Sequence, residues 1–276
     1  MCLVTRAHVI EPNYIAVMEH YLDIGKFYDA DSLKPKKEAV IALTRAYKAL
    51  YARAYDCISA AGSLSRELSS HLLDETVIAA VKKRSRGIIS REMGKKSEKP
   101  GKVKYRFLSA LTAKGYVNHF GTVEALANRV YHLDNNMGLA HYMLTELAEA
   151  ATAAGHDIIL CPSPLYPERL EHIWLPSLSL AFLSSNYQSQ YTGPFYRHIR
   201  LDAMADGERL KGHKAKIRFS KKIFHLLIGE AVSALADAKA IHDELEAIYN
   251  PHVDFPALYQ LAHGHLSSLL EKAKSA

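Results

Sequence analysis

Residues 129–161, RVYHLDNNMGLAHYMLTELAEAATAAGHDIILC, constrain the fold more than any other stretch of the chain. An apolar run at 130–133 ends in turn formers at 134–138. Leu139, Met143, Leu144, Leu147, Ala148 and Ala151 then recur at helical spacing. Gly155 stands where a helix stop belongs. Ile158, Ile159 and Leu160 make a second apolar run, of the kind a buried parallel strand shows. The pattern predicts strand, tight loop, helix, strand. That is a βαβ unit whose first loop lies at the carboxyl end of a strand, the place where ligands bind in open α/β sheets.

A phosphate-cradling loop at such a junction reads G-x-x-x-x-G-K-[ST]. Aligned on Gly138, this chain reads Asn135-Asn136-Met137-Gly138-Leu139-Ala140-His141-Tyr142. A single glycine remains. Asn135 and Ala140 stand for glycines, His141 for the lysine, and Tyr142 for the magnesium-binding hydroxyl. The chemistry needs each lost group: glycine for backbone at positive φ, lysine for a permanent charge, a short hydroxyl for the metal. His141 is mostly neutral near pH 7 unless a phosphate raises its pKa. Two readings follow. The loop is an ordinary βα turn, or Asn135, Gly138, His141 and Tyr142 mark a worn nucleotide-binding loop.

The 276 residues suffice for two small domains or one large one. With 49% hydrophobic and 23% charged residues, a packed core is expected. The longest apolar runs fall short of the ~18 residues that span a bilayer, and the amino-terminal stretch has no signal-like apolar region. These features predict a cytoplasmic protein without a membrane partner. Cys2, Cys57 and Cys161 are far apart, form no C-x-x-C, and read as reduced thiols.

The net charge of +6 is concentrated. Residues 82–106 hold eleven Lys/Arg against Glu92 and Glu98, so the rest of the chain is net acidic. Residues 211–222 add six Lys/Arg and no acid. Such patches bind nucleic acid or phosphate, or are solvated linkers and helix faces.

Along the chain, 14–21 reads as a short helix and residues from 36 onward as a long one. Val40, Leu43, Tyr47, Leu50, Ala54, Ile58 and Ala61 form its apolar stripe. A basic helix is expected at 77–93, a linker at 94–104, strands at 102–111 and 116–120, and a short helix at 122–128 capped by Thr122. After the βαβ unit, a proline-punctuated loop carries one helical turn at 168–174. A third strand follows at 178–183 and a polar loop at 184–194. The rest is helical from about 210, with a break at Asn250-Pro251 and a last helix at 255–274. Among other motifs, the histidines form no H-E-x-x-H, Glu168, Glu171 and His172 lack a partner cluster, and no G-x-S-x-G elbow occurs. No catalytic residue and no metal site is assigned from sequence.

The two long helices are related by a constant shift of 177 residues. Tyr14, Asp29, Leu33, Lys34, Lys37, Ala54, Ala61, Glu67 and Leu68 meet Tyr191, Asp206, Leu210, Lys211, Lys214, Ala231, Ala238, Glu244 and Leu245. One offset across a loop and a helix predicts a tandem duplication of long modules. By that offset the chain begins at the third strand of module one, so the first module is truncated.

The chain resembles a bacterial family of tandem P-loop NTPases, ATPase or nucleotide-kinase-like. The resemblance rests on 7–12 (AHVIEP), on Arg53-Ala54-Tyr55 with Ala60-Ala61, and on 109–115 (SALTAKG). It also rests on 204–210, on 238–246 (AKAIHDELE) and on Val253-Asp254-Phe255. It covers nearly the whole chain and implies an α/β fold with a P-loop NTPase-like parallel sheet, degenerate here, and long helical extensions, helix-rich overall. The implied organisation is 1–100 as a truncated first module with a basic linker and 101–276 as the second, with α/β part 101–200 and extension 201–276. The implied ligands are ATP and magnesium. Residues 178–185, LSLAFLSS, place Ser184 where the resemblance expects a magnesium-binding aspartate, and 1–6 also lack one. A charge-assisted hydrogen bond is worth about 1.5–3 kcal/mol. Losing the lysine and part of the cradle costs roughly 4 kcal/mol, about a thousandfold in affinity. Three functions are therefore expected in order. The first is a pseudo-ATPase with weak or no hydrolysis. The second is a helical interaction protein, homo-oligomeric or partner-bound through 36–69 and 217–249. The third is nucleic-acid binding through 82–106.

Overall fold

The structure, a computed structural model, describes residues 22–205 and 207–275. The readings made on 1–6, 7–12 and 14–21 lie outside the described residues. Of the described residues, those up to Ala49 together with those from Ala238 form one compact unit, and Leu50–Asp237 form the other. The basic segment 82–106 and the sheet after it both fall in the second unit.

Two helices run through both units: α2 (Lys37–Leu72), after a short α1 (Ala30–Leu33), and α7 (Lys214–Tyr249), after a short α6 (Gly207–Gly212). α2 and α7 each have 36 residues, and both their ends differ by the 177-residue shift read from the sequence. Over Leu50–Asp237 they pack antiparallel. Ala54, Ala231 and Ala234 meet in one buried cluster, flanked by ion pairs of Arg53 with Glu230 and Lys216 with Glu67. Small side chains let the two backbones approach there, and the exposed ion pairs add little.

The sheet has six strands in the order β1 (Val103–Tyr105), β5 (Ile158–Pro162), β6 (Leu170–Leu175), β7 (Leu180–Ser185), β4 (Arg129–Asp134), β8 (Arg197–Ile199). All run parallel except β6, which is antiparallel to both neighbours. The expected βαβ unit forms as β4, α5 (Ala140–Ala153) and β5, but β6 and β7 stand between its two strands. All six residues of β7 are buried, because the sheet is covered on both faces. Tyr131, Leu133 and Phe182 pack with α5 and with α3 (Glu75–Glu92) on one side. Val130, Ala181 and Leu183 pack with α4 (Phe120–Leu126) on the other.

Three local expectations are corrected. The strand expected at 102–111 divides into β1 and β2 (Ser109–Thr112), and β2 pairs with β3 (Gly115–Asn118) as a separate hairpin. The helical turn expected at 168–174 is instead β6, because its neighbours β5 and β7 offer a ladder on both sides and tertiary pairing overrides local propensity. α4 begins at Phe120 after His119, without a side-chain cap from Thr122. β8, inside a stretch left unassigned from sequence, is a three-residue edge strand.

The other unit holds α1, the start of α2, the end of α7, and α8 (Phe255–Ser275). Asp29 caps α1 by accepting from the amides of Asp31 and Ser32. Tyr28 pairs with Val253 in an isolated bridge, and Ser32 Oγ lies 2.6 Å from His252 Nδ1. No helix among the described residues is long and apolar enough to cross a membrane.

Candidate functional site

The loop joining β4 to α5 opens on a cavity of about 110 Å³ lined by residues from β6, α2 and α7 as well as its own. Asn135, Gly138 and His141 line it. Tyr142 does not: its ring packs against the core beneath α5. Three of the four residues marked by sequence therefore converge on the cavity.

The loop has a defined internal chemistry. Asn135 Oδ1 accepts from the Ala140 amide at 2.9 Å and so satisfies the first free amide of α5. Gly138 sits at φ +77°, the left-handed region that favours glycine. A β-carbon there would lie 2.8 Å from an Arg169 guanidinium nitrogen. The permanent positive charge at this loop thus comes from Arg169, one residue before β6, and not from position 141. His141 Nδ1 accepts from the Leu170 amide at 3.2 Å, which requires an unprotonated nitrogen. Burial, and then the Arg169 charge, push its pKa down.

The loop amides already hold an anion. The Asp202 carboxylate accepts from Asn136 N at 3.0 Å, from Asn136 Nδ2 at 2.9 Å and from Met137 N at 3.2 Å. Burial raises the Asp202 pKa, these hydrogen bonds lower it, and the neighbouring Asp134 charge raises it further, with a net upward shift.

Glu171, on β6, lines the cavity although only 3% of it is exposed. Tyr116 donates its hydroxyl to both carboxylate oxygens, at 3.0 and 2.8 Å, and Asn186 Nδ2 donates at 3.0 Å. Burial dominates these donors and pushes the Glu171 pKa up to about 7. The next residue, His172, is buried outright. Its Nδ1 accepts from the Ser184 amide at 3.1 Å, and burial pushes its pKa down to about 3. At neutral pH the cavity therefore holds a carboxyl group that exchanges its proton readily, beside a neutral imidazole. Lys221 of α7 adds a second cation at the cavity wall, its ammonium 3.9 Å from the centre of the Tyr187 ring.

The donors do not fit magnesium-bound ATP. Ser184, where the resemblance expects an acidic ligand, is fully buried on β7 and its hydroxyl has no partner. Neither Asp202, on the loop amides, nor Glu171, on Tyr116 and Asn186, points a free carboxylate into the cavity. A cavity of this size is also below the roughly 300–1,000 Å³ of sites that enclose a whole drug-sized ligand. Sequence reasoning missed Arg169, Glu171, Asp202 and Lys221. One signal was present: Glu171 and His172 interrupt an apolar run that continues through Ile173, Trp174 and Leu175. Charged groups inside a buried strand mark a site.

No protein-family model, no curated protein and no solved structure matches this chain.

Proposed function

We propose that the chain is a P-loop NTPase-like protein whose nucleotide site is degenerate, with weak or no ATP hydrolysis, and whose cavity binds a small anionic ligand. The observation that carries this reading is the Asp202 carboxylate on the amides of Asn136 and Met137. A strand–loop–helix junction at the carboxyl end of a parallel strand is suited to an anion, and here the chain supplies one of its own. Arg169 and Lys221 would bind the ligand's charge, and Glu171 would exchange a proton with it near neutral pH. The matched ends of α2 and α7 support a tandem duplication, as the resemblance implies.

Calorimetric titration with ATP, with and without magnesium, tests the reading. The expected result is no binding tighter than millimolar and no magnesium dependence. Micromolar, magnesium-dependent binding overturns it.

A second reading, partner binding through a helix, is supported by α8. Phe255, Tyr259, Leu266, Leu269 and Leu270 are all exposed and fall on one face at helical spacing. That stripe differs from the faces at 36–69 and 217–249 expected from sequence. Light scattering over a wide concentration range tests it, and a monomer throughout argues against self-association. For the basic segment 82–106 the neighbours favour a solvated surface. Lys82 pairs with Glu146, and Arg91 and Arg129 pair with Glu92. Charged Lys104 and Arg106 lie on and beside the edge strand β1, where they discourage edge-to-edge association.

A further inference from the structure

We propose that His132, Asp134 and His198 form a binding site for one divalent first-row transition-metal ion. The site follows from strand geometry. β4 and β8 are parallel, and His132 and His198 are register partners. Asp134 lies two residues beyond His132, so its side chain leaves the same face of the sheet. Val130 has that parity too and packs with α4, whereas Tyr131 and Leu133 pack with α5. The three groups therefore stand on the face opposite α5, apart from the cavity described above.

One nitrogen of each ring and one Asp134 oxygen lie within 4.8 Å of one another. Tetrahedral zinc with bonds of 2.0–2.1 Å holds its donor atoms about 3.3 Å apart, so a contraction of about 1.5 Å or less closes the set. Two imidazoles and one carboxylate select zinc, cobalt or ferrous iron over magnesium or calcium, which prefer oxygen alone.

The surroundings favour a metal further. His132 Nε2 lies 2.8 Å from Ser185 Oγ, which also accepts from the Tyr191 amide at 2.8 Å. When Nε2–H donates to that hydroxyl, Nδ1 keeps its lone pair, and Nδ1 is buried without any partner. Metal-binding histidines are oriented in this way, one nitrogen on the ion and the other held by a fixed group. The lone pair of an unpartnered buried nitrogen costs stability until something satisfies it. His198 Nε2 bonds Asp134 at 2.6 Å and its ring stacks on His132 with centroids 4.7 Å apart. Stacked rings cannot both point a nitrogen at one ion. Binding therefore turns the His198 ring, whose side chain is 35% exposed, and replaces its hydrogen bond to Asp134 with two metal bonds.

The test is cobalt titration of the metal-free full chain, followed by absorption, with zinc competition and thermal melts on the same samples. The expected result is one cobalt per chain, displaced by zinc, with a higher melting temperature in zinc. His198→Gln and Asp134→Asn should each weaken binding by about tenfold or more while melting as the metal-free wild type does. A second group, His242, Asp243 and Glu246, has exposed side chains and provides the control: His242→Gln should leave binding unchanged. Absence of cobalt bands at millimolar ion overturns the proposal. So does binding that survives His198→Gln or is lost in His242→Gln.

Discussion

Glu171 and His172 are neighbours in sequence, both buried, and both neutral in the folded chain at mildly acidic pH. Their effects on stability run in opposite directions. Glu171 has an ordinary pKa of 4.5 and a folded one of about 7. Between those values the folded chain keeps a proton that the unfolded chain has released, so the Glu171 contribution to stability falls as pH rises. His172 has an ordinary pKa of 6.5 and a folded one of about 3. Between those values the unfolded chain binds a proton that the folded chain refuses, so its contribution rises with pH. Each proton is worth ~1.4 kcal/mol per pH unit. From pH 4.5 to 6.5 the two slopes cancel. Glu171→Gln removes one of them and keeps the local bonds, since the amide oxygen accepts from Tyr116 and Asn186 as the carboxyl Oε1 does now. Relative to wild type, the variant's stability should then climb with pH through the window, by roughly 3 kcal/mol in all. Urea unfolding at stepped pH, with linear extrapolation, measures this. Every other group titrates in both proteins, so the difference isolates Glu171. Parallel profiles for variant and wild type between pH 4.5 and 6.5 would refute the burial argument.

Removing the internal anion by Asp202→Ala should free the amides of Asn136 and Met137. Inorganic phosphate should then bind about tenfold more tightly by calorimetry, with about 1–2 kcal/mol of stability lost; unchanged phosphate affinity counts against the occupied cradle. Gly101→Ala should destabilise the chain by about 3 kcal/mol or more, because an added β-carbon would meet the His156 carbonyl oxygen at 1.9 Å. Gly115→Ala has open space but sits at φ +91°, so it should cost only about 1–2 kcal/mol; thermal melts that rank the two equally sink the comparison. Ala231→Leu, at a position with no exposed surface beside Ala54, should cost about 1–3 kcal/mol by overpacking, read from urea midpoints.

The helices were legible because their stripes are long. α2 and α7 repeat the apolar spacing over ten turns, and the 177-residue shift between them appears again in both pairs of helix ends. β4, α5 and β5 were legible for the same reason, since apolar runs of the right lengths are bounded by turn formers. β6 was not, because proline, arginine and glutamate at 167–171 mask its alternation, and what fixes it as a strand is the ladder on either side. The cavity was half legible. Asn135, Gly138 and His141 are local to one loop, and a motif comparison reaches them. Arg169, Glu171 and Lys221 on the cavity wall, and Asp202 on the loop amides, arrive from 28 to 80 residues further along the chain than His141. Only the fold brings them together.

Asp202 also explains how a loop with one glycine and no lysine can have the backbone of an anion site. The positive φ at Gly138 and the two converging amides are geometric demands of holding a carboxylate or a phosphate alike. A carboxylate built into the chain competes at an effective concentration on the order of millimolar or higher. An anion from solution must exceed that to displace it. A ligand of the proposed cavity would therefore be held by Arg169, Glu171 and Lys221 rather than by the loop amides. Those residues lie on elements that a loop motif does not describe, so the absence of the motif does not by itself exclude an anion site in this fold.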